Sequence, residues 1–208
     1  MVIGLLTITA IPTITGVGQA VSAQKRQNAE SKEQEKINLA ASFCDEEQND
    51  VQATCFLKDG KIVLEFPGQN VHGHKFCGFH FKYPGEEQHL GLVSSIQDEP
   101  PMLNWIYVNR ETRALGYGAR KDTIGHIIGP WGWSEDERFL TLEGSPGGFI
   151  ARKQEVDGAE RWVLHWDPEM GSDVEEDEDE DEEEQGFVLL YRKPLLGMES
   201  SYVRDEEK

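Results

Sequence analysis

Cysteine is scarce in this chain of 208 residues: Cys44, Cys55 and Cys77 are the only three. That excludes a disulfide-dense mini-protein, and their spacing fits no zinc pattern. Two readings stay open: three reduced thiols, or one bridge plus a free thiol, with Cys44–Cys55 as the shortest closure. Basic side chains are also few. Twenty Lys and Arg stand against 39 Asp and Glu, for a net charge of −19, which excludes a basic nucleic-acid binder. The hydrophobic share of 38% is too low for a polytopic membrane protein. Catalytic signatures are missing as well: no G-x-S-x-G, no phosphate-binding Walker loop, no dinucleotide fingerprint and no H-E-x-x-H occurs, so none of those chemistries is indicated.

The first 23 residues carry no charged side chain and are followed by Lys25 and Arg26. Three readings compete. A signal peptide would use Val2–Ile11 as its apolar core and Val21-Ser22-Ala23 as its small-residue end, but it lacks a positive leading region. A membrane anchor over residues 2–23 is marginal in length and interrupted by Pro12. The third reading, a soluble segment made of a short apolar strand or arm and then a helix starting near Pro12–Thr15, is preferred, retained in an intracellular protein, cytoplasmic or nuclear. Secretion or N-terminal anchoring is the alternative.

Gln24–Phe43 lacks Gly and Pro and is rich in Ala, Glu, Gln and Lys, so propensity predicts a helix. From Cys44 onward the chain turns to short apolar runs broken by turn residues. Gln52–Leu57 and Lys61–Phe66 flank Asp59-Gly60, a hairpin signal. Val71–Tyr83, Gly91–Ile96, Leu103–Val108, Arg113–Tyr117, Phe139–Glu143, Gly148–Lys153, Trp162–Trp166 and Phe187–Arg192 continue the series. Asn109–Thr112 reads as a four-residue hairpin loop, and Gln154–Glu160 as the connection containing Asp157-Gly158. About nine strands at this spacing predict a mainly β fold, an antiparallel sandwich or small barrel, with an N-terminal helix. The expected organisation is residues 1–43 as apolar segment and helix, 44–194 as β domain, and 195–208 as a flexible tail.

The negative charge is concentrated. Asp173, Glu175, Glu176, Asp177, Glu178, Asp179, Glu180, Asp181, Glu182, Glu183 and Glu184 account for eleven of the net nineteen, leaving −8 for the remainder. Like charges at this density repel, which predicts a disordered loop over 168–186. Its functional reading is capture of a basic protein or peptide; the plainer reading is a solubilising loop.

Two clusters suggest sites. His72 and His74 form an H-x-H pair that, on a strand, points two imidazoles to one side, as divalent-metal ligands require. A third ligand is not evident, and polar histidines on a half-exposed face is the plainer reading. No cofactor is expected, with a divalent metal as the exception this pair leaves open. Trp131 and Trp133 flank Gly132 and, in an extended loop, turn both rings to one side as a stacking platform for a sugar or another apolar ligand. Against that, large aromatics are mostly buried. Trp162 and Trp166, with Leu164 between them, read as core.

The segments GLLTITAIPTITGV, PPMLNWIYVNRETRALGYG, GPWGW, GGFIARK and WVLHWD, in this order, resemble a family of uncharacterised proteins from filamentous ascomycete fungi. The resemblance spans most of residues 1–192 and implies a fungal source; it brings no assigned activity, ligand or site residue. The reading that follows is a non-enzymatic β-rich binding or protein-interaction module. The alternative is a small barrel enzyme or metal-dependent protein of fungal metabolism using the His72/His74 strand.

Overall fold

A computed structural model describes residues 35–44, 50–85, 89–97, 102–169 and 185–194. The expectations for residues 1–34, the acidic run and the C-terminal tail lie outside the described residues. So do the membrane-associated reading of 2–23 and most of the expected helix. Among the described residues no helix is long and apolar enough to cross a membrane.

The expected hairpins form. β2 (Asp50–Lys58) and β3 (Lys61–Glu65) turn at Asp59-Gly60, whose φ angles are 46° and 77°. Positive φ at both positions makes the two-residue turn whose twist matches its strands. β11 (Phe149–Val156) and β12 (Ala159–Trp166) repeat this device at Asp157-Gly158, with φ of 54° and 71°. Both strands thus run further into the expected 154–160 loop than the sequence suggested. Between β7 (Met102–Val108) and β8 (Leu115–Gly118), the Asn109 side chain accepts from the backbone N–H of Glu111 (2.9 Å) and Thr112 (3.1 Å), organising the turn locally.

Two expectations are corrected. Ile37–Cys44, taken as the end of a helix, is strand β1. It is flanked by β13 (Gln185–Pro194) and β2, with Ser42 facing both Leu189 and Gln52. Pairing on both sides overrides the helix preference of the sequence just before it. Val71–Tyr83 contains its expected strand as β5 (Cys77–Lys82), but that strand does not run back through His72 and His74: β4 (His74–Lys75) is a separate piece, set apart by Phe76, whose N–H donates to the Cys55 carbonyl at 2.9 Å.

The remaining strands are β6 (Leu90–Gln97), β9 (Trp131–Trp133) and β10 (Leu140–Leu142). All ladders are antiparallel. The sheet closes because β12 pairs back onto β3, giving a ring β12-β11-β13-β1-β5-β6-β7-β8-β3. The fold is therefore a closed barrel, not a sandwich.

A threefold pattern underlies it. Residues 37–82, 90–133 and 140–194 each hold a strand, a hairpin and a returning strand. The hairpins β2–β3, β7–β8 and β11–β12 meet through their second strands: Val63 faces Val163, Lys61 faces Gly116, and Ala114 bridges His165. The flanking strands β1, β5, β6, β9, β10 and β13 lie side by side around the barrel wall. Each third supplies core side chains, among them Leu39, Leu57 and Phe76, then Leu92, Ile106 and Trp131, then Leu140, Phe149 and Leu164. No third can bury its apolar face alone, so closure and core formation are one event.

Candidate functional site

The tryptophan pair lies on β9, not in a loop. Trp131 faces Leu142 and Trp133 faces Leu140 across the β9–β10 ladder. Trp131 is 2% exposed and stacks on Phe149 at 6.3 Å between ring centres, so its ring faces the core. Trp133 is half-buried. His80 meets it edge-on at 5.2 Å and the Arg192 guanidinium lies over it at 5.6 Å. The two rings therefore do not form a shared platform. Trp166 is core as expected, and Trp162 packs at the edge of the core against Phe43.

Trp133 instead leads into a cleft. The turn from β9 to β10 carries Asp136, Glu137, Arg138 and Phe139. With Ser42 of β1, Gln52 of β2, and Leu189, Tyr191 and Arg192 of β13, these residues enclose about 410 Å³. The turn is fixed from within. The Ser134 hydroxyl donates to Asp136 Oδ1 at 2.5 Å and accepts from the Phe139 N–H at 3.0 Å. Glu137 takes a φ of 58° to make the bend. The turn is also tied to the barrel, since Arg192 N–H donates to the Arg138 carbonyl (3.3 Å) and its guanidinium to Glu137 Oε2 (3.3 Å). The hydrogen bond from Ser134, with those from the Arg138 backbone and the Arg138 charge, holds the Asp136 carboxyl below the usual carboxylate range. It is an ionised acceptor at neutral pH.

A second, narrower crevice of about 260 Å³ adjoins the cleft, lined by Gly147, Gly148, Phe149, Phe187 and Val188, with Ser42 and Leu189 common to both. It opens where β11 and β13 diverge. Their ladder ends at Ile150 opposite Phe187, leaving Phe187 54% and Leu189 41% exposed.

His72 and His74 are exposed, while Phe76 and His80, at the same alternation in sequence, are buried. The break at Phe76 separates the two pairs. Among the described residues no group of three His, Cys, Asp or Glu side chains is arranged to hold a metal ion. Cys55 is a free, buried thiol, and burial pushes it well above the ordinary thiol range.

The outer face of β5–β7 carries an aromatic layer that the tryptophan reading missed. Trp105 meets Tyr83 edge-on at 4.9 Å and Phe81 at 6.2 Å. It rests over Gly91, where a Cβ would come within 2.6 Å of the indole. The signal was present in Phe79-x-Phe81-x-Tyr83 and Leu103-x-Trp105-x-Tyr107, where apolar residues occupy the outward as well as the inward positions.

With a threefold barrel and its cleft described, the comparison with known families is decisive. Residues 16–194 match the family described as fungal beta-trefoil domain. The chain belongs to that family. The three hairpins capping six barrel-wall strands are the β-trefoil arrangement, and the fungal family agrees with the resemblance seen in the sequence. No curated protein and no solved structure matches the chain.

Proposed function

We propose that this β-trefoil is a non-enzymatic binding module that seats its ligand in the cleft between the β9–β10 turn and β13. One observation carries the reading: a cleft of about 410 Å³, within the roughly 300–1,000 Å³ range of small-ligand sites, is built on strands and a tied turn. Its polar groups are pre-positioned, so little ordering is lost when a ligand enters. Asp136, held below the usual carboxylate range, offers an ionised acceptor to a ligand's donor groups.

The test is a thermal-shift screen of metabolites and saccharides on the full chain, followed by amide NMR mapping of any hit. Signals of residues 136–139 and 189–192 should move. Hits that move only signals elsewhere, or turnover of a hit by the protein, would refute the reading.

A further inference from the structure

Building on the cleft as the binding site, we infer that its ligand is a neutral glycoside, with a sugar ring in the cleft and an apolar substituent in the adjoining crevice. The two spaces adjoin, since Ser42 and Leu189 line both, but their chemistry differs. The crevice is walled by Phe149, Phe187, Val188 and Leu189, and among the described residues nothing covers the apolar side chains of Phe187 and Leu189, which are 54% and 41% exposed. The cleft holds two carboxylates and two guanidiniums, each within reach of an opposite charge. Glu137 and Arg192 are 3.3 Å apart, and Asp136 and Arg138 are 4.0 Å apart.

This pairing selects the head group. An ionic head is attracted by one member of each pair and repelled by the other, so it gains little net field. A hydroxyl has no such conflict, because it donates to a carboxylate oxygen and accepts from a guanidinium N–H at once. Neighbouring hydroxyls on a sugar ring repeat that donor–acceptor pattern, and the Gln52 amide supplies both roles again. The rings of Phe139 and Tyr191 line the same cleft and offer apolar surface to the C–H face of a pyranose. The polar head and the apolar tail thus each meet matching chemistry, the head in the cleft and the tail in the adjoining crevice.

The experiment uses the full chain and NMR titration with the 4-nitrophenyl and methyl glycosides of glucose, galactose, mannose and N-acetylglucosamine, with 4-nitrobenzoate as the anionic counterpart. For at least one sugar, the 4-nitrophenyl glycoside should bind tenfold or more tightly than the methyl glycoside and shift the amides of 136–139 and 189–192. Phe187→Ser, at a residue that lines the crevice and not the cleft, should erase that advantage and spare the methyl glycoside. Phe187 is 54% exposed, so the variant should fold, and an unchanged Tm checks this. Asp136→Ala combined with Arg138→Ala should abolish both. Equal affinity for methyl and nitrophenyl glycosides, binding of 4-nitrobenzoate as tightly as the glycosides, or no glycoside binding at all would overturn the inference. If the metabolite screen then finds another ligand that shifts the same amides, the cleft remains the site and only the glycoside assignment falls. If ligands act only elsewhere, both fall.

Discussion

His80 should make the fold sensitive to mild acid. The side chain points inward from β5, is 3% exposed, and its Nε2 has no hydrogen-bond partner among the described residues. Its ring lies against Trp133, which also carries the Arg192 guanidinium, so a second positive charge there gains nothing. Burial lowers the His80 imidazole to about 4, against an ordinary value of about 6.5. Between those values the unfolded chain binds the proton and the folded chain does not, so stability falls as pH falls through that window. The loss is complete only below the folded value. Going from about pH 7.5 to about pH 5 should cost about 2 kcal/mol through this residue alone. For a domain of this size that is roughly 4–8 °C in Tm. His80→Leu removes the titration. Wild type and variant should be compared by urea denaturation across this range at constant salt, and their difference isolates His80 from the other five histidines. The wild type should lose about 2 kcal/mol more than the variant. Parallel curves would show that His80 is hydrated or protonated in the fold, and the reasoning would fail.

The two β9 tryptophans should respond unequally. Trp131→Ala opens a core cavity and should cost about 3–5 kcal/mol, while Trp133→Ala, at a half-buried position, should cost clearly less; equal losses in urea denaturation would contradict the burial difference. Cys55 should resist a thiol reagent in the native protein and react once unfolded, because only the thiolate attacks and burial disfavours it. In a chain carrying Cys44→Ser and Cys77→Ser, rapid native labelling would count against this. Replacing Asp173–Glu184 with a short Gly/Ser linker should leave Tm nearly unchanged at physiological salt, where screening acts within about 8 Å. The same change should strongly weaken any binding to basic proteins at low salt. Unfolding of the shortened protein would make the acidic run structural.

Much of the strand pattern was legible in the sequence, for local reasons. Asp59-Gly60 marked its hairpin because few residue pairs accept positive φ at both positions. Asp157-Gly158 did the same for β11 and β12, although the strands extend closer to the turn than their composition suggested. Short apolar runs bounded by turn residues located Gly91–Ile96 and Leu103–Val108, since a run of that length between breakers suits a strand better than a helix. Tertiary structure decided what depends on partners distant along the chain. Ile37–Cys44 is a strand because β13 and β2 flank it, and Trp131–Trp133 is one because β10 does. Barrel rather than sandwich was settled by the pairing of Val163 with Val63, which no local pattern encodes. The cleft gathers residues 42, 52, 136–139 and 189–192, and none of Ser42, Gln52, Arg138, Tyr191 or Arg192 has a neighbour in sequence that marks it. Propensity and turn chemistry act over a few residues, whereas pairing, burial and the meeting of charges are set by which surfaces the closed barrel brings together.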